Sequence, residues 1–371
     1  MPAKNKKEEL SGNKGEWSEF YTFLKLLADG KIYAADKDLN KNENLFYLIL
    51  KIIRGDFEDL QYIRNEKIVI QNAEGKNLSE IPIKDVKEFA EEFHKGIVTG
   101  ETGKRAFELN FAKTVLQKFH TNSLSDERKE TADIRIVIHD PITQHEPLLG
   151  FSIKSYLGGK PTLFNAGKPS NLIYKIKPEI DDKKRIELNN LDTYGARIKW
   201  LVENDYNFTF EKMNSEIFRT NLELIDSRLP EILSHLLLHR FLGGPNKLAG
   251  LTEFLNETNP CDFNIKLNPN FYTYKIKRLL VDAALGMKAG SLWTGTFSAT
   301  GGYIAVKRDG ELLCYHIYNW NDFQDYLLNH TKIDYPDSSP HRCDFGRVLT
   351  AEEVGESKGS FIKLNFQIRF T

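Results

Sequence analysis

The sequence predicts an α/β protein, a mixed β-sheet flanked by helices. Three observations predict it. Segments in the first third carry apolar residues at helical spacing, two central runs alternate with period two on either side of a turn, and a second alternating pair flanks Asp309-Gly310. In chain order, residues 16–28, 43–53, 84–95 and 104–119 are expected as helices, with the hairpin-like pair QYIR and KIVIQN between the second and third. ADIRIVI (132–138) and LLGFSIKS (148–155) are expected as neighbouring strands, since their connection contains the turn signal Asp140-Pro141. Further helices are expected near 194–203, 213–241 and 271–287. Two strands around Asp309-Gly310 and a terminal strand FIKLNFQIRF follow.

Composition narrows the class. A chain of 371 residues with 40% hydrophobic and 12% aromatic content can bury a sizeable core. The N-terminus is polar and lysine-rich, and no window has the apolar length of a membrane span, so a soluble cytoplasmic protein is expected. Cys261, Cys314 and Cys343 are widely spaced and odd in number, which suits neither a disulfide framework nor a zinc cluster. A formal net charge of -1 gives no general basic excess, so any DNA binding must come from local clustering. One cluster exists: Lys154, Lys160, Lys168, Lys175 and Lys177 occur between Gly150 and Lys177 without an Asp or Glu.

Within LGFSIKS, Lys154 stands in a run apolar enough to be an interior strand, where an ammonium group requires a partner or a task. Leu149, Phe151 and Ile153 share one strand face, and Gly150, Ser152 and Lys154 share the other. If 132–138 and 148–155 pair, Asp133 and Lys154 can meet at one sheet end. An acid about twenty residues before a strand-borne lysine resembles the PD-(D/E)XK nucleases. Their acids hold a divalent cation beside a phosphate, and their lysine orients or activates water.

Ser152, however, occupies the place of the expected second acid. A replacement was sought among core-facing glutamates. On 16–28, Trp17, Phe20, Phe23, Leu24 and Leu27 define an apolar stripe that includes Glu16 and has Glu19 at its edge. On 104–119, Phe107, Phe111, Ala112, Val115 and Phe119 bracket Glu108. Either Glu16 or Glu108 is therefore expected to supply the missing oxygen; solvated first-turn placement is the alternative for Glu16. A set of Asp133, the Ile153 carbonyl and one of these glutamates suits magnesium.

The blocks GNKGEWSEFYTFLKLLADGKIYAAD (12–36), DIRIVIHD with LGFSIKSYLGGKPTLFNA (133–166), GGYIAVKRDGELLCYHIYNWNDFQDYLLNHTK (301–332) and IKLNFQIRF (362–370) resemble the HpaII family of type II restriction endonucleases. The resemblance spans nearly the whole chain, and because it includes the block around Glu16 it favours Glu16 as the metal ligand beside Asp133 and the Ile153 carbonyl. It implies a magnesium-dependent, site-specific deoxyribonuclease acting on a short palindrome, CCGG being typical, and with it a homodimer on DNA and a cognate methyltransferase. The expected organisation is a nuclease core over 1–180 with recognition and dimerisation elements over 181–371. In YLGGKPTLFNAGKPSN, Lys160, Thr162, Asn165, Lys168, Ser170 and Asn171 are expected to contact DNA. A DNA-binding protein with a degenerate centre and a structure-specific repair or recombination nuclease remain open beside this reading. His235 and His239 have the spacing of a zincin but lack its glutamate, so packing or helix-end charge is expected of them.

Overall fold

The computed structural model describes residues 10–55, 59–100, 106–125, 132–297 and 299–371. The first part of the chain forms β1 (Ser11–Gly12), α1 (Lys14–Asp29), β2 (Lys31–Ala35), β3 (Lys41–Gly55), β4 (Asp59–Arg64), β5 (Lys67–Gln71), β6 (Asn77–Pro82), α2 (Ile83–Thr99), β7 (Phe107–Glu108), α3 (Ala112–Lys118), β8 (Ile134–His139) and β9 (Leu148–Ser155). Next come β10 (Thr162–Phe164), β11 (Asn171–Lys177), α4 (Asp182–Asn189), α5 (Tyr194–Glu203), β12 (Asn207–Met213), α6 (Glu216–Ile225), α7 (Leu229–Phe241), α8 (Leu248–Thr258) and α9 (Phe271–Ala284). The chain closes with β13 (Gly302–Val306), β14 (Leu312–Tyr315), α10 (Trp320–Asn329), β15 (Thr331–Ile333), β16 (Val348–Thr350), β17 (Ser360–Asn365) and β18 (Ile368–Phe370).

These elements form two compact units, one of Met1–Pro161 with Phe297–Phe323 and the other of Thr162–Thr296 with Gln324–Thr371. The first break therefore falls at Pro161 rather than at 180, and the β13–β14 hairpin returns to the first unit. No helix among the described residues is long and apolar enough to cross a membrane.

The first unit holds a nine-stranded mixed sheet in the order β2-β14-β13-β9-β8-β3-β4-β5-β6. Because β2 pairs with both β14 and β3, six of the strands of this mixed sheet return on themselves in a ring, a closure not foreseen in the sequence. The expected neighbours β8 and β9 do pair, and they run antiparallel, with Ile134 opposite Phe151. On its other edge β9 runs parallel to β13, with Ile153 opposite Ile304.

α1 packs into this unit along its aromatic stripe. Trp17, Phe20, Phe23 and Leu24 are completely buried, each contributing about 2–3 kcal/mol of apolar burial. Both helix ends are fastened. Asn13 caps the N-terminus, Gly30 closes the C-terminus at φ 70°, and the Arg64 guanidinium donates to the Leu27 carbonyl at 2.9 Å.

Several expected elements differ. Residues 43–53 are not a helix but part of the 15-residue strand β3. Tyr47 and Ile49 alternate inward as a strand requires, and an irregularity between Ile49 and Lys51 shifts the phase so that Ile52 also faces the core. The resulting three-residue step mimics a helical period. Residues 106–119 of the expected helix 104–119 are instead β7 and the short α3; 104 and 105 lie outside the described residues. The expected helix 213–241 is divided into α6 and α7, with Pro230 in the first turn of the second. FIKLNFQIRF forms two strands in separate sheets rather than one.

The second unit contains the antiparallel sheets β12-β11-β17-β16 and β10-β18-β15. Tyr174 on β11 is fully buried, and its hydroxyl donates to the Ser234 carbonyl of α7 at 2.7 Å, tying sheet to helix.

In the first unit, Gly302 opens β13 at φ 113°, where a Cβ would lie within contact distance of the Tyr315 carbonyl oxygen. Backbone supplies that obstacle, so no side-chain rotation can relieve it. Gly302→Ala is expected to destabilise the protein by about 2–4 kcal/mol, read as a lower urea midpoint at unchanged slope.

Candidate active site

The β8–β9 hairpin builds the site because Asp133 immediately precedes its first strand. The Asp133 N–H donates to the Phe151 carbonyl at 2.9 Å, extending the pairing by one residue. Its carboxylate then turns onto β9, where Oδ2 accepts from the Ile153 N–H at 2.6 Å and from the Ser152 hydroxyl at 3.2 Å. Ser152, only 6% exposed, therefore orients the acid. Phe151 and Ile153 lie in the core, while Lys154 is half-buried with Ala305 as its register partner on β13. Leu149, Phe151 and Ile153 join one hydrophobic cluster as the period-two reading expects, while Gly150 and Ser152 are buried as well.

Glu19 of α1 joins this group. Burial, followed by the neighbouring charge of Asp133, pushes its carboxyl up to about 7; the Ser125 hydroxyl, Arg54 and Lys154 oppose the shift. Arg54 is itself held in place, donating to the carbonyls of Ser123 at 3.1 Å and Leu124 at 3.0 Å. Two half-buried carboxylates brought together, with a half-buried lysine beside them, make a site that a cation would neutralise. The available donors are hard oxygens, which suit magnesium better than a softer metal.

The other glutamates are placed differently. Glu16 is the N3 residue of a capping box: its Oε2 accepts from the Asn13 N–H at 2.7 Å, while Asn13 Oδ1 accepts from the Gly15 and Glu16 N–H groups. Its carboxylate serves the helix terminus instead of the expected metal set. Glu108 is exposed on β7, paired in register with Ser11, so the helical face that singled it out does not exist. The pattern Asn13-x-x-Glu16 was the available signal for a cap. Glu19, one helical turn further along, was visible only as the edge of the apolar stripe.

The expected DNA-contacting residues separate by burial. Lys160, Asn165 and Lys168 are exposed. Thr162 is half-buried on β10 opposite Arg369. Ser170 and Asn171 are completely buried, which corrects their assignment as base-reading groups. Ser170 Oγ donates to the Gly167 carbonyl at 3.0 Å, and Asn171 Nδ2 donates to the Cys343 carbonyl at 2.7 Å. Lys175 and Lys177 belong to β11, so the lysine-rich stretch is not one continuous loop. Near the active strand, Gly158 packs against the Lys14 stem, where an added Cβ would approach Lys14 Cβ to 2.7 Å. Sequence reasoning had not associated Lys14 with this loop.

The chain matches the HpaII restriction endonuclease family over residues 13–370. It is 41% identical over 365 residues to the type II restriction enzyme HpaII of Haemophilus parainfluenzae, covering 98% of this chain and 99% of that protein. No solved structure matches significantly. With one family spanning both structural units and the hairpin that carries Asp133 and Lys154, the chain belongs to the HpaII family of type II restriction endonucleases.

Proposed function

We propose that the protein hydrolyses phosphodiester bonds of duplex DNA at CCGG, using magnesium at a PD-(D/E)XK-like centre made by Asp133, Lys154 and Glu19. The convergence of Asp133, Lys154 and the half-buried Glu19 at the β8–β9 hairpin carries this reading. Asp133 and Glu19 would hold the ion, with the Ile153 carbonyl as a third oxygen. When bound, magnesium would acidify water and neutralise charge on the scissile phosphate. The remaining work belongs to the chain. Ser152 and the Ile153 amide hold the Asp133 carboxylate in one orientation, limiting rearrangement during reaction. Lys154 orients the attacking water and stabilises negative charge developing on the phosphoryl oxygens.

Palindromic duplexes have two-fold symmetry, so the simplest assembly on DNA is a homodimer with one centre for each strand. Lys160, Lys168 and Asn165 remain the exposed candidates for DNA contact within the lysine-rich stretch. A chain with net charge near zero would then owe its phosphate affinity to local lysines and lose that affinity steeply with salt. An enzyme of this kind requires host DNA to be protected, which assigns it a methyltransferase of the same specificity as partner.

Lys154→Ala is expected to lower the single-turnover cleavage rate by about 10²–10³-fold, the scale of one major electrostatic contact, while specific binding persists in a gel-shift assay. Unchanged cleavage by this variant removes the assignment.

Glu19→Gln and Glu16→Gln separate the two glutamates of α1. The first is expected to impair cleavage across a magnesium titration with the fold intact. The second is expected to retain activity and lose up to about 1 kcal/mol of stability through the weakened cap. The reverse pattern would return Glu16 to the centre.

Sequencing the ends of fragments from long unmethylated DNA tests the target. CCGG at every end is expected. A different common motif overturns the target alone, and ends without a motif overturn site-specific cleavage.

A further inference from the structure

The second unit contains another cluster of metal-ligating groups. Glu231 and His235 are one helical turn apart on α7 and share a face. Cys261 lies in the loop after α8 and is only 4% exposed. A carboxylate oxygen, an imidazole nitrogen and the thiol sulfur of these residues all lie within 4.8 Å of one another. In a tetrahedral zinc site, bonds of about 2.0–2.3 Å place neighbouring ligand atoms about 3.3–3.8 Å apart. Closing the triad on an ion therefore requires an inward movement of about 1 Å, within reach of side-chain rotation.

The surrounding residues already hold the donors together. Arg228 Nε donates to Glu231 Oε2 at 2.7 Å, and its Nη2 donates to the Cys261 carbonyl at 2.9 Å. The Tyr272 hydroxyl accepts from the Cys261 N–H at 2.9 Å and donates to Asn259 Oδ1 at 2.9 Å. Arg228 engages one oxygen of the Glu231 carboxylate, so the other can face an ion. Its positive charge also offsets part of the negative charge that a thiolate and a carboxylate would concentrate here.

We propose that Glu231, His235 and Cys261 form a three-ligand site for a borderline divalent cation such as zinc, with water as the fourth ligand. The ion fastens α7 to the loop following α8. The mixed sulfur, nitrogen and oxygen donors distinguish this site from the all-oxygen active centre, because magnesium discriminates against sulfur whereas zinc and cobalt accept all three. α7 also receives the Tyr174 hydrogen bond from β11, so stabilising this helix supports the sheet behind it. The cysteines escaped a zinc reading because their spacing along the chain is uninformative; one of them meets its partners only after folding.

Cobalt(II) titrated into tag-free, full-length protein in chelator-cleared buffer tests the site. Thiolate-to-cobalt charge-transfer absorption saturating at one equivalent per chain is expected, with displacement by zinc. Cys261→Ser should abolish the band and His235→Gln should weaken binding, while Cys343→Ala leaves both unchanged. Absence of the band from the wild type, or its survival in Cys261→Ser, overturns the proposal. Should Cys261→Ser fail to fold, alkylation of the wild type provides the second measurement. Zinc should slow modification of Cys261, located by peptide mass mapping, and an equal rate with and without zinc overturns the site.

Discussion

The rest of the candidate active site depends on the hydrogen bonds that draw the Asp133 carboxylate onto β9. A carboxylate just before a strand would ordinarily turn to solvent, where hydration is favourable. Here the Ile153 amide and Ser152 hydroxyl hold it against the neighbouring strand. This geometry gives Ser152 a clear role although it stands where an acid was expected. Its hydroxyl orients one carboxylate, leaving the second negative charge to come from another element.

The proposed second charge is Glu19, and its placement has an electrostatic cost. Burial and the proximity of Asp133 both oppose its ionisation. The fold sustains the arrangement because α1 is fixed independently of the glutamate. Its aromatic stripe enters the core, Asn13 and Gly30 terminate it, and Arg64 engages its last turn. A rigid helix holding an unfavourable carboxylate beside another is the preorganisation expected where binding of a cation compensates the repulsion.

The sequence made this hairpin legible because period-two alternation and a turn signal agreed over 132–155, and the same agreement revealed β13 and β14. It made α1 legible through the spacing of Trp17, Phe20, Phe23, Leu24 and Leu27. It did not reveal β3, whose phase shift near Lys51 imitates helical spacing, or the closure of six strands, which depends on pairings distant in sequence. Glu16 and Glu19 were confused for a physical reason. A helical wheel describes direction around an axis but says nothing of what lies beyond the helix end, and there Asn13 had already engaged Glu16. Strand pairing likewise divides the lysine-rich stretch, placing Lys154 on β9 and Lys175 and Lys177 on β11, while Lys160 and Lys168 lie outside both strands.

Ser170 and Asn171 show how buried polar residues can brace a segment whose neighbouring side chains are exposed. Gly167 N–H donates to Ser170 Oγ at 3.2 Å, Asn365 Nδ2 donates to the Gly167 carbonyl at 2.8 Å, and Asn214 Nδ2 donates to the Lys168 carbonyl at 3.0 Å. Asn365 also donates to Asn171 Oδ1 at 2.6 Å, joining this bend to the start of β11. The backbone from Gly167 to Asn171 is thus fixed by internal polar contacts, while the Asn165 and Lys168 side chains are exposed. A flexible loop must lose conformational freedom when it meets any partner, whereas a braced one has lost much of it during folding. The buried polar residues therefore lower the ordering cost of any contact made by the exposed groups beside them, a physical reason for one segment to mix hydrophilic residues of opposite burial.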